Sequence, residues 1–176
     1  MSAAPREPVA IAFRDASQAD IDTIRTLADR IWHACYPGMI SVEQIRFMLA
    51  WMYAPERLSE DMQRDVRYEL ALVDGHAVGY LGHELHREKR VLHLHKIYLV
   101  PELHGRGVGQ AMLAHVVRTA RASGMQAVEL GVNKTNARAL AAYRRAGFTV
   151  AESFVRDIGN GFVMDDHLLR LELHTR

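Results

Sequence analysis

The spacing of apolar residues changes along the chain, and the first third of the sequence shows helical spacing. Between residues 17 and 62 apolar side chains recur every three or four positions, a pattern typical of amphipathic helices. Ser17 and Ser41 stand where helix N-caps are expected, and Pro55 suits the first turn of a further short helix. A short apolar run at residues 9–13 precedes these helices and predicts a first strand.

After Arg67 the spacing changes to the shorter period typical of strands. The dipeptide Asp74-Gly75 separates two such runs, at residues 68–73 and 77–84, and predicts a hairpin because it supplies the positive φ angles of a tight turn. The rest of the chain predicts, in order, a long strand at 91–100, a helix at 107–123, a strand at 128–132, a helix at 136–146 and two strands around a turn near 159–161.

This order of elements predicts one mixed α/β sheet with helices on its faces. No repeat, low-complexity tract or Gly/Ser/Pro linker divides the chain. We therefore predict a flexible N-terminal arm at residues 1–8 and a single domain at residues 9–176. A length of 176 residues suits one domain that needs no disulfide or metal for its stability.

The charge balance argues against one class of function. Twenty-two basic residues face 21 acidic ones, and the net charge of +1 lacks the basic excess of a protein that binds the nucleic-acid backbone. The longest apolar run, residues 47–54, is far shorter than the roughly 20 residues of a membrane helix. The first residues lack the apolar stretch of a signal peptide, and the single cysteine, Cys35, excludes an internal disulfide. We expect a cytoplasmic protein without nucleic-acid or membrane partners.

The most informative segment is the turn at residues 104–109, between the long strand and the next helix. Gly105, Gly107 and Gly109 occupy alternate positions there, and glycine lets the backbone turn sharply and approach a ligand closely. The start of the following helix offers unpaired N–H groups that attract phosphate, and Arg106 adds a positive charge. The segment therefore predicts an anion-binding turn, with a plain strand-to-helix connection as the alternative.

Two better-known phosphate motifs are absent from this turn. The dinucleotide pattern G-x-G-x-x-G needs glycine where Gln110 or Met112 stands, and the P-loop pattern needs a Gly-Lys-Ser/Thr triplet that the sequence lacks. A second candidate segment lies downstream, where Asn136, Leu140 and Tyr143 share one face of a predicted helix. Taken alone, Asn136 could be a helix cap and Tyr143 a core aromatic.

Together these two segments resemble the GNAT family of N-acetyltransferases. The family signature [Gln/Arg]-x-x-Gly-x-[Gly/Ala] is matched at residues 104–109, with His104 in place of glutamine or arginine. The family pattern Asn-x-x-Ala-x-x-x-Tyr…Gly-Phe is matched at residues 136–148. The resemblance covers residues 91–148 and implies a mixed, mostly antiparallel sheet of six to seven strands, with helices on both faces.

The resemblance also implies that acetyl-CoA is the cosubstrate and that the central strand carries a bulge. Main-chain groups of this strand would bind the pantetheine arm and the thioester, with the Leu99 N–H as the oxyanion donor. The turn would hold the pyrophosphate, and Asn136 would form a hydrogen bond with the cofactor. The cofactor-binding residues implied in this way are Ile97, Tyr98, Leu99, His104, Gly105, Arg106, Gly107, Val108, Gly109 and Asn136.

By the same resemblance, the reaction moves an acetyl group directly to a primary amine of a small molecule or peptide in a ternary complex. Tyr143 would act as the acid toward the departing thiolate. Glu102, just after the central strand, is the candidate base, with Glu84 and His95 as rivals. We expect no role for Cys35 as a nucleophile.

Several alternatives stay open at this point. A module of the same fold could bind acetyl-CoA, or another phosphorylated ligand, without turnover. His83, His86, His93 and His95 lie on adjoining strands, yet no zinc motif accompanies them, so we expect no metal. Arg144 or Arg145 could meet the 3′-phosphate of CoA, and the aromatic residues Trp32, Tyr36 and Trp51 could form an acceptor wall. The identity of the acceptor amine is open, and a homodimer is possible.

Overall fold

The computed structural model describes residues 9–173, which form a seven-stranded sheet and helices packed against it. The predicted arm at residues 1–8 lies outside the described residues. The strands are β1 (Ala12–Asp15), β2 (Arg67–Val73), β3 (His76–His86), β4 (Val91–Leu99), β5 (Ala127–Asn133), β6 (Thr149–Gly159) and β7 (Phe162–Glu172). The α-helices are α1 (Ile21–Cys35), α2 (Val42–Met52), α3 (Pro55–Gln63), α4 (Val108–Ala122) and α5 (Ala137–Arg145).

The sheet is mixed and mostly antiparallel, as predicted. Its strand order is β1-β2-β3-β4-β5-β7-β6. Every neighbouring pair runs antiparallel except β4 and β5, which are parallel. The parallel pair follows from the chain order, because α4 connects the end of β4 to the start of β5 as a crossover helix. No described helix is long and apolar enough to cross a membrane.

Local signals in the sequence are confirmed with small corrections. Ser41 Oγ accepts a hydrogen bond from the Gln44 N–H at 3.1 Å and caps α2, and Ser17 caps a 3₁₀ turn that leads into α1. The prediction of the first strand at residues 9–13 is wrong in its bounds, because the strand begins at Ala12 and includes Asp15. Backbone pairing with β2 decides these bounds, and Asp15 is further held by an ion pair with Arg67 at 2.6 Å.

The two faces of the sheet are covered by different helices. On one face, Trp32 and Tyr53 from the α1–α2 region pack with Tyr80 of β3, and the Tyr53 and Tyr80 hydroxyls lie 2.7 Å apart. On the other face, His115 of α4 hydrogen-bonds the Glu69 carboxylate of β2 at 2.9 Å. Helices therefore cover both faces, as predicted.

A bulge in β4 and a gap beside it distinguish the middle of the sheet. Gly82 pairs with Lys96 whereas His83 pairs with Leu94, so His95 is an extra residue in β4. The parallel ladder between β4 and β5 runs only from Val91–Ala127 to Leu94–Leu130. Both strands continue beyond it, and a gap opens between residues 95–99 and residues 131–133.

The close contact of β3 with β4 gives a test of the fold. A Cβ added at Gly79 would lie 2.4 Å from the Tyr98 carbonyl oxygen, so Gly79→Ala forces the central strands apart. We expect the free energy of unfolding in urea to fall by about 1–3 kcal/mol. The control is Gly109→Ala in the first turn of α4, where a Cβ meets no atom within 4 Å and helix propensity improves. Equal effects of both substitutions would contradict this account of the β3–β4 contact.

Candidate active site

A cleft of about 1120 Å³ opens over the gap between β4 and β5. Its walls come from all five α-helices and the β6–β7 hairpin as well as from β3 and the two central strands. The cleft brings together both segments that the sequence singled out, although they lie far apart along the chain. The predicted site residues that line it are Ile97, Tyr98, Leu99, His104, Gly105, Gly107, Gly109, Asn136 and Tyr143, whereas Glu102, Arg106 and Val108 do not.

The backbone of β4 presents hydrogen-bonding groups to the gap at alternate residues. The Val100 N–H donates to the Val78 carbonyl at 2.9 Å, so Val100 faces β3. Because main-chain groups alternate in direction along a strand, Tyr98 also faces β3, and Ile97 and Leu99 face the gap. The Tyr98 side chain stacks on Tyr80 at 5.3 Å between ring centroids. Two of the three predicted residues on β4 can therefore offer main-chain groups to a ligand, and the third contributes a side chain.

The glycine turn has the conformation expected of an anion-binding loop. Gly105 and Gly107 have φ angles of 72° and 81°, in the left-handed region that favours glycine. Gly107 is the N-cap of α4, so the N–H groups of the first helical turn point out of the helix end. A Cβ at Gly105, Gly107 or Gly109 would meet no atom within 4 Å, so packing does not account for the glycines. The backbone is open to a ligand, and the exposed Arg106 stands beside it.

His104 joins the end of β4 to α5. Its Nε2 lies 2.9 Å from the Leu99 carbonyl oxygen, and its Nδ1 lies 2.6 Å from Nη1 of Arg138. A guanidinium can only donate, so Nδ1 accepts and Nε2–H donates to Leu99. Burial, and then the charge of Arg138, lower the pKa of His104. The histidine is therefore a neutral bridge between Leu99 and Arg138, and its predicted contact with the cofactor stays a prediction.

Asn136 is the N-cap of α5, because its Oδ1 accepts from the Ala139 N–H at 3.2 Å. Its side-chain amide nitrogen has no hydrogen-bond partner within residues 9–173. The cap therefore fixes the orientation of the side chain and leaves the donor end available to a ligand. The predicted contact of Asn136 with a cofactor stays a prediction.

Tyr143 projects from α5 toward the gap and is only 9% exposed. Its ring meets the Phe148 ring edge-on, with centroids 5.8 Å apart. Its hydroxyl has no hydrogen-bond partner among the described residues. Burial, and then the nearby Tyr36, raise the pKa of Tyr143, so the phenol stays protonated at neutral pH and is free to donate to a ligand.

The three candidate bases differ in position. Glu102 lies on a 3₁₀ turn outside the cleft, with Oε1 2.6 Å from the Arg30 guanidinium and a side chain that is 61% exposed. Glu84 and His95 line the cleft and hydrogen-bond each other at 3.2 Å. A catalytic role for Glu102 stays a prediction. Because Glu102 lies outside the cleft, the structure favours Glu84 or His95, which line the cleft, as the base.

Two buried charged residues in the cleft wall were not found from the sequence. Lys96 is 6% exposed, with its Nζ 5.5 Å and 5.4 Å from the ring centroids of Tyr53 and Tyr68, and burial lowers its pKa to about 8. Asp166 on β7 is also 6% exposed. One feature of the sequence could have indicated the burial of Asp166. This residue stands between the apolar residues Met164 and Leu168 on one face of β7.

The histidines near the cleft do not form a metal site in the described part of the chain, where no three suitable side chains are placed to hold an ion. His93 and His95 have ring centroids 4.6 Å apart. Burial, and then the neighbouring His95 and His86, lower the pKa of His93 to about 4, so its ring is neutral at pH 7.

The comparison with known protein families matches the part of the chain that contains both the glycine turn and α5. A sequence model of the Acetyltransferase (GNAT) family matches residues 29–148. Uncharacterised N-acetyltransferases of Mycobacterium bovis and Mycobacterium tuberculosis are 32% identical over 132 residues, which is 74% of this chain and 84% of theirs. Spermidine N(1)-acetyltransferase of Thermoplasma acidophilum is 24% identical over 162 residues, or 89% of this chain and 97% of that protein.

Solved structures show the same fold. The PaiA N-acetyltransferase of Thermoplasma acidophilum, crystallised in complex with coenzyme A, superposes with a TM-score of 0.79. It shares 22% sequence identity, and the alignment covers 93% of this chain and 99% of that one.

The bridge made by His104 gives a testable prediction. With Nδ1 accepting from Arg138, the ring is neutral and carries its proton on Nε2, and its pKa lies below the ordinary histidine range. Nitrogen-15 NMR of labelled protein measures both the tautomer and the pKa. Arg138→Met should raise this pKa, because it removes a nearby positive charge, and Arg144→Met on the exposed side of α5 should leave it unchanged. An Nδ1–H tautomer, or a pKa unaffected by Arg138→Met, would refute the bridge.

Proposed function

The chain belongs to the GNAT family of acetyltransferases, and from that premise we propose how its cleft performs the transfer. We propose that acetyl-CoA lies across the gap between β4 and β5 and that its acetyl group passes directly to a primary amine of a small molecule or peptide. The observation that carries this proposal is the gap itself, where the main-chain groups of Ile97 and the N–H of Leu99 face an open space instead of β5.

The cleft residues fit an extended ligand with an anionic end. The first N–H groups of α4 and the glycine turn provide a backbone site for a diphosphate, and the positive charge of Arg106 stands beside it. The absence of any contact within 4 Å of a Cβ at Gly105, Gly107 or Gly109 leaves room for phosphate oxygens. Asn136 and Tyr143 line the same cleft as this turn, and we expect them to contact the pantetheine arm. Bound acetyl-CoA supplies the thioester.

The proposed role of Leu99 concerns the thioester carbonyl. When an amine attacks that carbon, negative charge develops on the carbonyl oxygen. An N–H held rigidly by the central strand can donate to this oxygen, and one such preorganised donor contributes about 3–4 kcal/mol to the stability of the transition state. His104 holds the Leu99 carbonyl, which belongs to the next peptide group along the strand.

The proposed role of Tyr143 is to donate a hydrogen bond to the departing sulfur. The thiol of CoA has an ordinary pKa near 8.5 and a phenol one near 10, so complete proton transfer is uphill by about 2 kcal/mol. Burial raises the pKa of Tyr143 and makes complete transfer harder still. A hydrogen bond that strengthens as charge gathers on sulfur lowers the barrier without a free tyrosinate.

Two measurements test the proposed function. Isothermal calorimetry should show that coenzyme A binds the full chain with an affinity that falls as salt rises. A free-thiol assay should detect thiol release from acetyl-CoA with polyamines, amino acids, aminoglycosides or peptides that have free N-termini. The relative named for spermidine supports a small-molecule amine. Binding of coenzyme A without thiol release for any amine would instead indicate a binding module.

Replacing Tyr143 by Phe tests the proposed acid. Because Tyr143→Phe keeps the ring and removes only the hydroxyl, kcat should fall at least about tenfold while the affinity for acetyl-CoA stays within twofold. Steady-state kinetics and calorimetry measure the two quantities. Tyr80→Phe removes a phenol that lies outside the cleft and should leave kcat nearly unchanged. An unchanged kcat in Tyr143→Phe would remove Tyr143 from the mechanism.

A further inference from the structure

Asp166 is a buried carboxylate that faces the cleft without a partner. Its side chain belongs to the cleft wall and only 6% of the residue is exposed. Within residues 9–173 no side chain or main-chain N–H hydrogen-bonds its carboxylate, and no cation lies within ion-pair distance of it. Burying an unpaired carboxylate is costly, so a protein that keeps one at a ligand cleft gains from a cationic ligand there.

The register of the sheet places Asp166 near the gap. Asp166 pairs with Asn133 of β5, three residues beyond Leu130, where the ladder between β4 and β5 ends. Asp166 therefore lies one strand away from the gap, beside the part of β5 that no longer pairs with β4. Its Oδ2 lies 3.9 Å from where a Cβ on Gly131 would be, so a larger residue at 131 would narrow the space in front of the carboxylate.

The basic groups around Asp166 are engaged with other partners, so they lower its pKa only through their charge and do not pair with it directly. From β7, Asp165 binds Lys134 and His167 binds the Ser153 hydroxyl at 2.7 Å. From β6, the guanidinium of Arg156 lies over the Phe154 ring, 5.3 Å from its centroid.

Helix α1 places an aromatic side chain near the same carboxylate. Burial raises the pKa of the Tyr36 hydroxyl, and the negative charge of Asp166 adds to that increase. Burial, and then Asp165, raise the pKa of Asp166 itself, which makes its carboxylate a better proton acceptor.

We propose that Asp166 binds the primary ammonium group of the acceptor and accepts the proton that this group loses before it attacks the thioester. This inference rests on the proposed function. The aromatic rings of Tyr36 and Phe154 beside the carboxylate suit an ammonium group on an apolar stem. The class of acceptor is therefore a primary alkylammonium compound.

The proton balance of the step is simple. The ammonium gives one proton to the Asp166 carboxylate, and the free amine forms a C–N bond with the thioester carbon as the C–S bond breaks. The nitrogen loses a second proton to solvent, and the departing thiolate, which accepts a hydrogen bond from Tyr143, takes one proton from solvent. Asp166 then returns its proton to solvent, so the products are the acetamide, the CoA thiol and one proton.

The experiment compares Asp166→Asn with Asp165→Asn in the full chain. Both variants remove one negative charge from adjacent residues of β7, but Asp165 is exposed and lies outside the cleft wall. With the best amine of the panel, Asp166→Asn should lower kcat/KM for the amine at least about tenfold, with a raised KM. Its affinity for coenzyme A should stay within twofold of the wild type. Asp165→Asn removes only a neighbouring charge, so it should keep the same affinity and lower kcat/KM for the amine far less than Asp166→Asn does.

A second readout does not depend on turnover. Carbon-13 NMR of aspartate-labelled protein, with coenzyme A bound, identifies the Asp166 carboxyl resonance by its loss in Asp166→Asn. Addition of n-butylammonium should shift this resonance saturably in the wild type.

The outcomes separate the two proposals. A wild type that neither binds coenzyme A nor releases thiol overturns the proposed function. A wild type that turns over, with kcat/KM for the amine within twofold in Asp166→Asn, overturns only the role of Asp166. Failure of 100 mM n-butylammonium to move the Asp166 resonance also overturns that role, whereas a saturable shift supports it even if turnover is absent.

Discussion

The backbone ladder between β4 and β5 stops at Leu94 and Leu130 although both strands continue. Each main-chain N–H and C=O that the ladder no longer satisfies must find another partner, because burying it unpaired costs free energy. The extra residue His95 bends β4 at this point, and the Leu99 carbonyl is satisfied by His104. The other main-chain groups of β4 that face the gap are available to a ligand. The glycine turn and Tyr143 line the same cleft.

Two buried carboxylates differ in whether the protein supplies hydrogen-bond partners for them. Glu69, 5% exposed, lies between His83 and His115 at 3.2 Å and 2.9 Å. Burial alone would raise the pKa of Glu69, but these hydrogen bonds outweigh it and lower the pKa to about 2. Asp166 is buried to the same degree without such partners, and its pKa is raised. Hydrogen bonds within the protein satisfy the Glu69 carboxylate, whereas the Asp166 carboxylate is free to bind a ligand.

The sequence predicted features that depend on local chemistry. The Asp74-Gly75 turn has φ angles of 51° and 78°, as such a dipeptide implies, and the serine caps lie where they were expected. Features that depend on distant contacts were missed. The turn after β4 directs Glu102 toward Arg30, 72 residues away in sequence, and no local pattern indicates this pairing. The burial of Lys96 and Asp166 was equally hidden, because it depends on elements that pack over these strands from elsewhere in the chain.

The charges around the gap differ between its two ends. At one end the N-terminus of α4 and Arg106 supply positive potential beside the glycine turn. At the other end Asp166 supplies a negative charge, and the phenols of Tyr36, Tyr98 and Tyr143 stay protonated because burial raises their pKa values. Neutral phenols can donate hydrogen bonds without competing for a cation. Under the proposed function, a molecule with an anionic end would therefore bind with that end at the turn, and an ammonium group would lie at the opposite end, near Asp166.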